Sequence, residues 1–240
     1  MKSRAIPTWR RIVAASAVLS LAGCGSGRTA TGPLQTAHEV VALAKVDRVR
    51  VDLKMGSGEL DVKGGAAELL EADFAYNVPE WKPSVTHTVT GPETKVVVMQ
   101  PPQSSRSGNA ENRWQLALND ATPTDLTVDV GAGEARLTLG SLNLRTIQLT
   151  MGAGEMEMDL RGQPKTSYKV EIHGGVGSAT VRLPTTVAIE ATASGGLGEI
   201  KVDGLVQRNG RWINPRVESS PVTIELDVQG SVGEIRIEAE

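Results

Sequence analysis

Met151-Gly152-Ala153-Gly154-Glu155-Met156-Glu157-Met158 is the stretch whose reading decides the fold, because it recurs. Earlier copies are Met55-Gly56-Ser57-Gly58-Glu59-Leu60-Asp61-Val62 and Val130-Gly131-Ala132-Gly133-Glu134-Ala135-Arg136-Leu137. Later ones are Gly174-Gly175-Val176-Gly177-Ser178-Ala179-Thr180-Val181, Gly195-Gly196-Leu197-Gly198-Glu199-Ile200-Lys201-Val202 and Gly230-Ser231-Val232-Gly233-Glu234-Ile235-Arg236-Ile237. Successive first positions are 75, 21, 23, 21 and 35 residues apart, so the middle copies keep a period of about 22.

Apolar residues alternate with polar ones on both sides of each glycine pair. Val49, Val51 and Leu53 do so before the first copy, and Ile235 and Ile237 within the last. Period-two patterning in Val, Leu, Ile and Thr specifies half-buried strands, and no segment after residue 23 sustains a 3.6-residue pattern. A strand, a glycine corner, a second strand and a return turn make one rung of a β-solenoid. One rung cannot bury its inner face, but a stack can. Stacked about 4.8 Å apart, the rungs would form a short rod of roughly 30–40 Å. A β-sandwich of hairpins explains the alternation but not the return of the corner in register. Fourteen of the 26 glycines fall in these corners, where the chain bends tightly or passes close to the next rung. Aromatics make up only 3% of the chain, as aliphatic-filled, narrow rungs require. The expected fold is therefore all-β, a single-stranded β-solenoid over residues 38–240. Two hairpin-like insertions interrupt it, at about 66–120 and 206–220, the second turning at Asn209-Gly210.

The N-terminus reads as an address. Lys2, Arg4, Arg10 and Arg11 precede the apolar run Ile12 to Ala22, too short for a bilayer core of roughly 30 Å. The run ends Leu21-Ala22-Gly23-Cys24, which resembles a bacterial lipobox and contains the only cysteine. Residues 1–23 are expected to be a signal peptide, with palmitate-type acylation of Cys24. Residues 24–37 are expected to be a flexible tether. Cleavage removes four of the 25 basic residues and none of the 28 acidic ones, leaving 21 against 28 and a net charge of −7. Anionic lipid then repels the mature chain, so acyl chains must hold it on the membrane. Gly25, which is not aspartate, favours the outer membrane in a double-membrane bacterium.

Several chemistries are disfavoured. Negative net charge argues against nucleic acid as a partner. One cysteine and three scattered histidines give no metal centre, and no cofactor is expected. The Gly-x-Gly corners are not phosphate loops, because a strand and a glutamate follow them instead of a helix N-terminus. Glu59, Glu134, Glu155, Glu199 and Glu234 fall in one column, with Ser178 in the remaining copy. Left bare, each adjacent pair would cost on the order of 1 kcal/mol before screening. Arg136, Lys201 and Arg236, two residues farther on, can neutralise them. His38, His87 and His173 have no nucleophile paired with them in sequence, and the carboxylates are spread evenly rather than paired as a glycosidase requires. The chain therefore reads as a non-enzyme. Phe74, Tyr76, Trp81, Trp114 and Trp212 all lie in or beside the insertions. They would either cap the solenoid or form a partner surface.

The segment Glu68 to Asn77, Trp81-Lys82-Pro83, Trp114 to Asn119, Pro123 to Gly133 and the repeated Gly-x-Gly-Glu corners resemble the toast-rack family over roughly residues 38 to 240. These are bacterial extracytoplasmic domains of unknown function. They are related to candidate-adhesin solenoids and to the ectodomains of cell-wall-stress and phage-shock membrane proteins. The resemblance implies a right-handed β-solenoid and supplies no catalytic residue. The expected function is a membrane-anchored, extracytoplasmic scaffold or interaction domain linked to envelope stress, meeting an envelope protein or glycan. The alternatives are an adhesin or glycan-binding module and, behind it, a polysaccharide-acting solenoid enzyme.

Overall fold

The computed structural model describes residues 31–43, 46–102, 109–217 and 220–240. The segment expected to be a signal peptide and Cys24 lie outside these residues. Six long strands carry the repeats: β2 (Arg48–Gly64), β7 (Thr124–Thr138), β8 (Leu144–Asp159), β9 (Tyr168–Leu183), β10 (Ala188–Asp203) and β13 (Thr223–Ala239). Each runs unbroken through its glycine corner. All pair parallel and in register, so corner glycine meets corner glycine: Gly58 with Gly133, Gly133 with Gly154, Gly154 with Gly177. The molecule is the all-β solenoid that the repeat predicts.

Order in the stack is not order in the chain. The strands run β2-β7-β8-β9-β13-β10, so the last copy slides between the two before it. The 35-residue gap before β13 explains how. β11 (Val206–Arg208) and β12 (Arg211–Ile213) form the expected hairpin, turning at Asn209 and Gly210 with φ of 50° and 80°. The hairpin lies on the outer edge of β10, pairing Glu190 with Ile213 and Ala191 with Trp212. That edge being occupied, the returning chain enters on the other side. Asn214, buried, donates from Nδ2 to the carbonyls of Thr185 and Val187 at 3.0 and 2.9 Å and pins the return.

The first insertion closes the opposite end. β5 (Glu93–Met99) pairs with the pre-corner half of β2, and β4 (Ser84–Thr90) with β5. β6 (Asn112–Leu118) pairs with the post-corner half, followed outward by β3 (Leu70–Tyr76) and β1 (Gln35–Val41). A 3-10 turn at Pro79–Trp81 joins β3 to β4. Among the described residues strand structure begins at Gln35, inside the stretch expected to be tether, and Gly32 already donates to the Asn77 carbonyl at 2.7 Å. Among the described residues no helix is long and apolar enough to cross a membrane.

The core is the inner column of each rung. Leu53, Val128, Leu149, Ile172 and Val228 stack before the corner, and Val62, Leu137, Met158, Val181 and Ile237 after it, all buried. Fully burying one such side chain contributes about 1.5–3 kcal/mol. What allows the stacking is the corner. Gly154 has φ +133°, and a Cβ there would lie 1.9 Å from the Gly133 carbonyl oxygen. Both the conformation and the contact exclude a side chain.

Gly154→Ala should therefore lower stability by about 3 kcal/mol or more, or prevent folding. Gly174→Ala should stay within about 1 kcal/mol of wild type, because its added methyl meets nothing closer than 3.8 Å. Thermal or urea denaturation of the two variants side by side checks the pair.

Candidate interaction surface

The aromatic residues resolve first. Phe74, Tyr76, Trp81 and Trp114 are buried, at 2, 4, 6 and 0% exposure. Trp114 meets Phe74 edge-on, with centroids 5.5 Å apart. They fill the cap over β2, so they do not form the partner surface considered for them; side chains this deeply buried offer almost no area to a second molecule. Trp212 is half-buried against the core beneath the second hairpin. The cap also satisfies the first corner. With no rung before it, the amides of Gly56 and Ser57 donate to Gln100 Oε1 at 2.9 and 3.3 Å. Asn112 Nδ2 donates to the Ser57 carbonyl at 2.7 Å, and Trp114 Nε1 to Asn112 Oδ1 at 2.9 Å.

The glutamate column is real, in the spatial order Glu59, Glu134, Glu155, Ser178, Glu234, Glu199. Cations intervene along it. Arg113 Nε lies 2.7 Å from Glu59, and Arg136 lies 2.9 Å from Glu134. Arg236 lies 2.7 Å from Glu234, and Lys201 bridges Glu199 and Glu234 at 3.0 and 3.2 Å. Ser178 donates to Glu155 at 3.5 Å. The Arg113 hydrogen bond holds Glu59 below the ordinary carboxylate pKa, and those of Arg236 and Lys201 do the same for Glu234. Pairing with Glu199 and then Glu234 raises Lys201. These side chains are largely exposed, so each pair adds little. Together they remove the repulsion a bare column would carry.

The histidines are scattered. His38 sits on β1, its Nδ1 2.7 Å from Asp73 Oδ1 on the exposed face. His87 lies on β4 and His173 on β9. No group of three His, Cys, Asp or Glu side chains is placed to hold a metal among the described residues.

The feature that stands out is at the apex of the last three rungs. In β2, β7 and β8 the residue entering the corner is Met55, Val130 or Met151, buried inside, and the residue between the glycines is Ser57, Ala132 or Ala153. In β9, β13 and β10 the two positions are exchanged in character. Gly174, Gly230 and Gly195 enter the corner, and Val176, Val232 and Leu197 stand outside it, 57, 45 and 73% exposed. The inner glycines leave an apolar groove of about 600 Å³, counting its open mouth, floored by Met151, Met156, Ile200 and Ile235. Ala179, inside the stack, is only partly buried as a result, whereas its counterpart Ala135 is 1% exposed. An outward apolar ridge over a groove fits apolar contact with another molecule. The ionisable groups lining it are Glu199 and Glu234, both already paired with cations.

Residues 30–182 match the N-terminal domain of toast_rack, DUF2154. The chain belongs to the toast-rack family. A candidate cell adhesion protein from Clostridium sporogenes superposes with a TM-score of 0.82 at 28% identity, covering 86% of this chain and all of the other. A candidate adhesin from Bacteroides fragilis aligns over 85% of this chain and 96% of its own, at 12% identity and a TM-score of 0.30. No curated protein sequence matches the chain. In this toast-rack domain the positive-φ corner glycine is present in all six rungs, while the ridge belongs to the last three.

Two outcomes follow from this geometry. Trp114→Ala should cost about 3–5 kcal/mol, because it empties the cap and removes the donor to Asn112. Denaturation midpoints with an unchanged m-value measure it. Acid should also destabilise the domain. Glu59 and Glu234 titrate lower folded than unfolded, so their contribution is complete above the ordinary carboxylate pKa of 4.5 and is lost as pH falls through the folded values. Glu234→Gln should lower stability at pH 7 and flatten the decline below pH ~4.5, as should 0.5 M salt in the wild type. Melting temperatures across pH and salt report both.

Proposed function

We propose that this toast-rack chain is a lipid-anchored, extracytoplasmic protein of the cell envelope, and that its solenoid is a non-enzymatic interaction domain. The observation that carries the reading is the apolar ridge of Val176, Val232 and Leu197, standing 57, 45 and 73% exposed over a groove whose ionisable lining groups, Glu199 and Glu234, are already paired with cations and whose Ser178 and Ser231 have no histidine beside them in the lining. Such a surface offers burial, not chemistry. The lipobox at Leu21 to Cys24 supports attachment through acyl chains on Cys24, with residues 1–23 as the signal peptide. The similarity to stress-response ectodomains supports a link to envelope stress.

A second reading, an adhesin or glycan-binding module, is favoured by the Clostridium sporogenes relative at 28% identity. The ridge itself fits a protein surface better than a sugar. It is aliphatic, whereas sugars stack on aromatic faces, and most of the aromatics of this chain are buried in the cap.

Cys24→Ser should abolish palmitate labelling and release the protein from the membrane fraction; labelling that survives the change would refute the anchor. For the surface, a photo-reactive residue is placed at Leu197 or, as control, at exposed Thr88 on the opposite end. Illumination of intact cells should give a discrete adduct from position 197 and none from 88. The reverse pattern would move the surface elsewhere.

A further inference from the structure

The two halves of the rungs end differently. Before the corner, β10 is covered by β12. After the corner nothing covers it: among the described residues, Gly198 to Asp203 pair with β13 on one side and with no strand on the other. The consequence appears in the inner column. Ile200 is 39% exposed, whereas its counterparts Ile235, Met156 and Leu60 are 5, 2 and 2% exposed. This edge is free of proline and keeps an unbroken register with β13 from Gly198 to Asp203, so two of the devices that usually block edge pairing are missing. The opposite end carries three additional strands and the Gln100–Asn112 cap on the same half.

We propose that this bare edge of β10 pairs antiparallel with the same edge of a second copy, about a two-fold axis through Ile200. The charge pattern selects this occupant and this register. Glu199 and Lys201 flank Ile200 on the outer face, with 64 and 41% of their side chains accessible. With Ile200 opposite Ile200 of the second copy, each Glu199 faces a Lys201, twice across the axis. Moving the axis by one residue either way sets like charges opposite each other: Lys201 on Lys201, or Glu199 on Glu199. The pairing would cover both Ile200 side chains and extend the sheet through two molecules. The chain's own N-terminus does not reach. If the mature protein begins at Cys24, as its anchoring requires, seven residues precede Thr31 and span at most about 25 Å. The edge lies eight strand spacings from β1, roughly 38 Å. A contact this small makes a weak dimer in solution, strengthened where copies share a membrane.

The test is sedimentation of the full chain in detergent over a wide concentration range. Wild type should show a reversible monomer–dimer equilibrium. Glu199→Lys alone and Lys201→Glu alone should each weaken it about tenfold or more, since each sets like charges face to face. Mixing the two variants should restore dimers, because the two lysines flanking Ile200 in one variant then face the two glutamates flanking it in the other. A misfolded variant cannot be rescued in this way. A strictly monomeric wild type, single variants that dimerise like wild type, or a mixture that stays monomeric would each overturn the proposal. So would growth beyond the dimer, which would mean head-to-tail pairing of β10 with β1. None of these results depends on acylation, so they leave the anchoring question separate.

Discussion

The contact between stacked corner glycines is what the rest of the structure depends on. A Cβ on Gly133, Gly154 or Gly177 would lie within 1.7–1.9 Å of the carbonyl oxygen of the glycine below. Backbone rests directly on backbone there, so six strands of 15–17 residues turn the same corner without losing the parallel ladder. Once the corner is fixed, register is fixed. Once register is fixed, every inner residue falls into a column with its counterparts. The aliphatic core, the glutamate column and the ridge all follow from that single alignment.

The alignment also explains why charges recur without forming a site. A repeat that copies its corner copies the glutamate after it, and five carboxylates line up whether or not they have a use. The chain answers with Arg113, Arg136, Arg236 and Lys201, drawn from the cap and from the column two residues along. Lys201 serves two rungs at once, an arrangement available because β13 is inserted beside β10.

Much of this was legible in the sequence, for a physical reason. Period-two alternation and a glycine pair at fixed spacing are local signals, and they specified the rungs, the corners, both insertions and the Asn209-Gly210 turn. Stacking order was not legible, because every rung presents nearly the same edge and alternation does not say which neighbour it meets. Only the hairpin on β10, a tertiary contact, sends β13 inward. The aromatics were legible as a group displaced to the insertions. Whether they faced in or out depended on pairings such as Phe74 with Trp114 across β3 and β6, 40 residues apart. The ridge is also encoded in the sequence. Aligning the six copies places glycine before the corner and Val or Leu just ahead of the positive-φ glycine in the last three, but similarity draws attention to what repeats, and the ridge lies in what departs from the repeat.

That departure has a direction. The cap, with its buried tryptophans and its Gln100–Asn112 network, sits at the end from which the N-terminus leaves, where Gly32 is tied to Asn77. Ridge, groove and bare strand edge gather at the other end. A solenoid must protect both ends or use one of them, because an uncovered rung exposes core residues and unpaired backbone together. Here the end near the N-terminus is closed by two layers of strands on one half and three on the other. Among the described residues the far end is closed on one half by a two-stranded hairpin and left open on the other. Under the anchor proposed at Cys24, the open end is the one that points away from the lipid. The insertion that hides the aromatics and the rungs that display the aliphatics are then complementary parts of one arrangement: a sealed base and a presenting tip.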